Sequence, residues 1–252
     1  MKVYFIGAGP GDPELVTLKA VRLLGQCRVC VYSGSLINPA ILAYLPEGAE
    51  RHDSARMNLG EIAEVFRRAR DGQLDVARLH PGDPSIYGAI QEQMRALDGL
   101  SIPYEVVPGV SSFQAAAAAL GVELTAPEIS QTIILTRTAG RTPIPSHQEL
   151  SELARCRATY CVFLSVHKIE EVAAALAPEL GADCPAAVVY RASWPDQRTI
   201  RGTLADIAAQ SREAGLERTA LILVGWSLAG DAPPSRLYDA GFSHGFRERV
   251  RE

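Results

Sequence analysis

Three loops built from glycine and proline each follow a short apolar run, and they constrain the fold more than any other feature of the chain. Val3-Tyr4-Phe5-Ile6 leads into GAGPGDP, a run at 74–79 into HPGDPSIYG, and a run at 103–107 into VPGVSS. A further strand-like run spans 28–32, and helical patterns lie at 13–24, 60–71 and 84–97. Strands alternating with helices predict a mostly parallel sheet with helices on its faces. Ligands of such sheets bind beyond the carboxyl ends of the strands, where all three loops fall.

The run Ser111-Ser112-Phe113-Gln114 opens an alanine-rich helix that Gly121 is suited to end. After the turn-rich TAPE (125–128), strands are expected at 132–135, 160–164, 187–190, 199–201 and 220–224, with helices at 147–155, 167–180 and 203–214. With 252 residues available for more than one core, the reading is two α/β domains with mostly parallel sheets. They occupy 1–112 and 128–230, joined by a helix and turn at 113–127 and followed by an irregular tail, 231–252. The ligand is expected in the cleft between the domains.

A net charge of -4 argues against a broad basic face for nucleic acid. The N-terminus lacks the pattern of a signal peptide and no apolar run reaches the roughly 20 residues of a membrane span, so a soluble cytoplasmic protein is expected. Of the five cysteines, Cys27 and Cys30 form a CxxC that no second pair answers. Like Cys156, Cys161 and Cys184 they read as buried thiols, and no metal is expected. The histidines, His52, His80, His147, His167 and His244, show no metal-ligand spacing, and only His80 precedes a loop at the ligand edge.

The first loop departs from the dinucleotide pattern GxGxxG, because Asp12 stands where the third glycine belongs and would repel a pyrophosphate. Asp12-Pro13 reads instead as a helix cap followed by proline at the first helical position. The second loop, Pro81-Gly82-Asp83-Pro84, repeats the Asp-Pro pair. In the third, Ser111 and Ser112 supply one cap and one hydroxyl for a ligand, and GVSSF lacks the Gly-x-Ser-x-Gly form of a nucleophile elbow. Amides, hydroxyls and one carboxylate without a lysine suit ribose hydroxyls, an adenine edge and an amino-acid end. They suit a nucleoside triphosphate poorly.

These three motifs, in this order, resemble the tetrapyrrole (class III) S-adenosylmethionine methyltransferases, and the resemblance runs from Met1 to about Gly230. It implies S-adenosylmethionine as methyl donor. It carries cofactor contacts onto Pro10, Pro81, Gly82, Asp83, Ile86, Ser111 and Ser112, and onto Leu164, Ala192, Thr219 and Ala220. Further stretches resemble the branch of the family that methylates C11 of precorrin-4 in cobalamin biosynthesis. They are YSGSLINPAIL (32–42), MNLGEI (57–62), QTIILTRTAGRTPIP (131–145), YRASWPDQ (190–197) and SRLYDAGFSHGFR (235–247). Cobalt-precorrin-4 or another tetrapyrrole is the alternative acceptor, and a homodimer is implied. Relatives acting on uroporphyrinogen carry an acid after the second strand, where this chain has Tyr32-Ser33-Gly34-Ser35-Leu36, so a base resting on that acid does not transfer. The carboxylates of such a substrate call for arginines, and Arg56, Arg137, Arg141 and Arg191 are the candidates.

Overall fold

The computed structural model describes residues 1–235, 237, 239, 241–243 and 245–247. His244 and part of the 235–247 motif therefore lie outside the described residues. The chain divides into two compact units, Met1–Ala119 with Arg191–Arg198, and Leu120–Tyr190 with the residues from Thr199 onward.

In the first unit, β1 (Val3–Gly7), β2 (Val29–Tyr32), β3 (Glu50–Asp53), β4 (Val76–His80) and β5 (Tyr104–Val107) form one sheet in the order β3-β2-β4-β1-β5. Every neighbouring pair is parallel. Alternate residues of β1 and β4 feed two cores. Ile6, Ala77 and Leu79 pack on one side against α1 (Leu18–Leu24), whereas Val3, Phe5 and Val76 pack on the other against α2 (Leu59–Asp71) and α3 (Gln91–Gly99). Burial on both faces is what a parallel sheet with crossover helices requires. Asn58 starts α2 through a reciprocal capping box with Glu61. Ser111 starts α4 (Ser112–Leu120), its N–H bonded at 2.8 Å to the Gln114 side-chain oxygen, and Gly121 ends that helix at a φ of 63°.

Two helices begin later than the sequence suggests. Asp12 does cap a turn, but that turn is a single 3-10 turn at Pro13–Leu15, and Val16 returns to extended backbone before Thr17 caps α1. The expected helix from 84 starts only at Gln91, because Tyr87 and Ala89 hold φ values of 54° and 48° that an α-helix cannot contain.

The second unit holds β6 (Ile133–Arg137), β7 (Thr159–Phe163), β8 (Pro185–Tyr190), β9 (Arg198–Thr203) and β10 (Ala220–Val224), in the order β6-β7-β10-β8-β9. Over both sheets the registered pairs are predominantly parallel. Within this sheet, however, β10 runs antiparallel to β7 and to β8, and only β6–β7 is a registered parallel pair. Its core gathers Tyr160, Val162, Val188 and Ile222 with α5 (Leu150–Leu153), α6 (Ile169–Leu180) and α7 (Ile207–Glu213). Cys27, Cys30, Cys161 and Cys184 are buried and their thiols are pushed up to about 12 by burial. Cys156 departs from the expectation: it is exposed, in the turn ahead of β7. No helix among the described residues is long and apolar enough to cross a membrane.

Candidate functional site

The three glycine-rich loops interlock at the carboxyl edge of the first sheet. Gly9 and Gly82 bridge reciprocally, with Gly82 N–H to Gly9 O at 2.8 Å and Gly9 N–H to Gly82 O at 3.3 Å. A Cβ on Gly7 would stand 2.6 Å from Gly109 Cα and 2.7 Å from Gly82 O, so these backbones meet with no room for a side chain. Asp83 fastens the second loop to the third: one carboxylate oxygen accepts the Gly109 N–H at 3.0 Å, and the other accepts the Ser85 N–H at 2.8 Å and the Ser85 hydroxyl. Burial raises the Asp83 carboxyl, but these bonds outweigh it and hold the group below its ordinary value. Ile86 closes this turn, its N–H bonded to Asp83 O at 3.2 Å. Ser111 is buried and packs beneath Gly82, while Pro10, Pro81 and Ser112 remain partly open along the edge.

The segment 191–198 packs onto the first of these loops. Trp194 Nε1 donates to Pro10 O at 2.9 Å, and Asp12 N–H donates to Ser193 Oγ at 3.0 Å. Gly11 lies against the Trp194 ring, so closely that any side chain there would strike it. Ala192, buried at 6% exposure, belongs to this segment. The structure thus brings Pro10, Pro81, Gly82, Asp83, Ile86, Ser111, Ser112 and Ala192 into one unit, around one sheet edge and the segment fastened to it.

Leu164, Thr219 and Ala220 gather separately, within the second unit. Leu164 follows β7, while Thr219 precedes β10 and Ala220 is its first residue. Extending the Ile222–Val162 register by two places sets Ala220 opposite Leu164, beside Tyr190 of β8. Leu164 is 65% exposed, and both Leu164 and Thr219 hold positive φ, 52° and 56°. Non-glycine residues in that region mark sites that the surroundings constrain.

The candidate arginines are placed unevenly. Arg191 lies 3.8 Å over the Trp194 ring and pairs with Asp196 at 2.5 Å, so its charge is already answered. Arg137 is spent on the backbone, donating to the carbonyls of Thr138, Thr142 and Pro143 and so shaping the TRTAGR turn. Arg56 and Arg141 are exposed. The residue that inspection of the sequence missed is Arg78, buried at 5% exposure in the middle of β4. The one signal was a lone charge inside the apolar VARLH. His80, two places on and 2% exposed, shares its face of the strand. Burial pushes the His80 imidazole down to about 3, and the Arg78 charge adds to that.

The loop edge fits S-adenosylmethionine by its donor set. Close main-chain surface takes the place of side chains and the loops carry no lysine or arginine; of their two carboxylates Asp12 caps a turn, while Asp83 is held ionised, a charge that opposes a phosphate and tolerates a sulfonium.

Residues 2–208 match the family described as Tetrapyrrole (Corrin/Porphyrin) Methylases. The chain is 51% identical to a precorrin-4 C(11)-methyltransferase of Pseudomonas aeruginosa, over 98% of this chain and 99% of the relative. It is 48% identical to a cobalt-precorrin-4 C(11)-methyltransferase of Methanocaldococcus jannaschii, over 98% and 96%. Among solved structures, a cobalt precorrin-4 methyltransferase superposes with a TM-score of 0.88 at 42% identity, covering 90% of this chain and 95% of that one. A uroporphyrin-III C-methyltransferase of Thermus thermophilus, complexed with the adenosyl homocysteine product, superposes at 0.75 with 30% identity, covering 93% and 96%. The chain belongs to the tetrapyrrole (corrin/porphyrin) methylase family. It is a methyltransferase.

Proposed function

We propose that this chain transfers the methyl group of S-adenosylmethionine to C11 of precorrin-4, giving precorrin-5 on the route to cobalamin. The observation that carries this reading is the extent of likeness: 51% identity over 98% of this chain and 99% of the relative. Cobalt-precorrin-4 is the second reading, favoured by 48% identity over a similar span to the archaeal relative. A homodimer and a cytoplasmic location, both expected from the sequence, complete the proposal.

When bound, S-adenosylmethionine would supply an electrophilic methyl: an electron-rich ring carbon would take it as the sulfur–methyl bond breaks and S-adenosylhomocysteine leaves. The chain therefore needs no covalent nucleophile of its own, and its work is to hold and orient. Holding two reactants in register can supply about 7–11 kcal/mol of the barrier. Pro10, Pro81, Gly82, Asp83, Ile86, Ser111 and Ser112 are the residues proposed to hold the cofactor, supported by the interlock of their loops into one edge. Asp83 acts by fixing that edge and leaving its charge there. No side chain of the edge is assigned as a base.

The test is an anaerobic incubation with precorrin-4, generated in situ, and S-adenosylmethionine carrying a carbon-13 methyl, read by carbon NMR. Label at C11 supports the proposal. Label only in the cobalt-bound substrate moves the chain to the second reading, and label in neither overturns both.

A further inference from the structure

Arg78 and His80 occupy the face of β4 that α2 and α3 cover, at the carboxyl end where the apolar core gives out. With Ser33, Tyr87 and Gln93 they line a cavity of about 310 Å³ inside the first unit. Arg78 donates to Gln93 Oε1 at 2.8 Å, to Leu79 O at 3.1 Å, and to Val31 O and Ser33 Oγ at 3.4 Å each. All four acceptors are neutral, and no carboxylate pairs with this guanidinium among the described residues. Burial lowers Arg78 to about 10, so it remains charged at neutral pH. Beside it, the buried Nε2 of His80 has no hydrogen-bond partner.

Burying a charge without a counter-charge and leaving a buried polar nitrogen unbonded both weigh against the folded chain. An apolar pair at these positions would pack more cheaply. Glu92, the acid among the lining residues, is exposed and makes no ion pair with Arg78. A carboxylate placed here would accept from Arg78 and from the Nε2–H tautomer of His80.

We propose that the cavity lined by Arg78, His80 and Gln93 receives a carboxylate of a bound reactant. Two sources share this chemistry, an acidic side arm of the tetrapyrrole and the methionine carboxylate of the methyl donor. The inference rests on the proposed activity for its choice of ligands. The cavity opens to the surface and has room for a carboxylate arm beside Arg78 and His80.

The test reads the His80 imidazole by proton–nitrogen NMR while uroporphyrin III, a stable tetrapyrrole acid, or S-adenosylhomocysteine is added. Binding of each is measured separately, by fluorescence and by calorimetry. The ligand whose carboxylate enters should move the His80 signals, and Arg78→Met should weaken that ligand at least tenfold while leaving the other within twofold. Loss for uroporphyrin III assigns the side arm, and loss for S-adenosylhomocysteine assigns the methionine carboxylate. Arg78→Lys keeps the charge without the fork, serves if Arg78→Met does not fold, and should weaken the same ligand at least threefold. Ligands that bind without moving His80, or with unchanged affinity in a folded Arg78 variant, overturn the proposal. A chain that binds neither ligand counts against the activity itself. Millimolar propionate then decides the cavity alone, a His80 shift supporting it and none overturning it.

Discussion

Trp194 donates its indole N–H to the carbonyl of Pro10, at 2.9 Å, across 184 positions of sequence. The contact joins the Gly9–Gly82 bridge and the Asp12–Ser193 bond in fixing the first loop. Trp194→Phe keeps an aromatic side chain beside Gly11 but removes the donor, at a cost of about 0.5–1.5 kcal/mol. Calorimetry should show S-adenosylhomocysteine binding weakened about 2- to 12-fold, because every 1.4 kcal/mol is tenfold in affinity. Tm should fall by only about 2–4 °C per kcal/mol in a chain of this size. A lower Tm with unchanged affinity would detach the Pro10 loop from the cofactor.

Gly7 and Gly48 separate two reasons for a glycine. A Cβ on Gly7 meets the backbone of Gly109 and Gly82 at 2.6–2.7 Å, and backbone cannot rotate away. Gly48 holds a φ of 72° but has nothing within 4 Å of its would-be Cβ. Gly48→Ala should therefore cost only about 1–2 kcal/mol of backbone strain. Gly7→Ala forces the loops apart, which in packed interiors costs about 1–3 kcal/mol or more. Denaturant unfolding gives the stabilities. Cofactor affinity gives the decisive contrast, lost in Gly7→Ala and kept in Gly48→Ala.

Asp83 is the acid that ties two of the loops together, and its folded carboxyl titrates below the ordinary 3.8. The stability it contributes is present above 3.8 and is lost as pH falls through the lower folded value. Asp83→Asn keeps one oxygen and turns an N–H₂ toward the other donors. At pH 7 it should cost about 1.5 kcal/mol, the lower end for hydrogen bonds to a charged group, since this carboxylate is only partly buried. Urea unfolding at pH 7 and pH 3 checks the sign: the gap between variant and wild type should narrow at the lower pH.

The loops were legible because close backbone approach demands glycine at Gly7 and Gly109, a φ of 63° favours it at Gly82, and glycine stands out in a sequence. The parallel first sheet was legible from its apolar runs, except β3, whose Glu50-Arg51-His52-Asp53 carries no strand pattern. It lies at the sheet edge beside β2 alone, so it need not be apolar. The seven residues between β8 and β9 are too few for a helical crossover, so β9 turns back on β8, and the α7 crossover that follows sets β10 along β9 and against β8. That spacing was visible, but it does not say which strand fills the gap between β7 and β8. Contacts such as Trp194 to Pro10 leave no local trace, because each partner alone is an ordinary loop residue. Arg78 was hidden differently. A charge inside a buried strand reads as a surface residue until its neighbours are known.

His80 offers a readout of its own in plain acid titration. Burial, with the Arg78 charge second, holds its imidazole at about 3 against an ordinary 6.5. Between those values the unfolded chain takes up a proton that the folded chain refuses, so stability falls as pH drops from 6.5 toward 3. The limiting slope for one such group is about 1.4 kcal/mol per pH unit. His80→Gln removes the titration but keeps a polar side chain in the cavity, and every other titrating group is common to both proteins. The variant should therefore gain on the wild type as pH falls from 6.5 to about 4, a window that lies above the one set by Asp83. Tm measured at half-unit steps resolves it. Parallel curves would mean that the imidazole takes its proton inside the folded chain, and that its burial beside Arg78 is less complete than the packing of β4 against α2 and α3 implies.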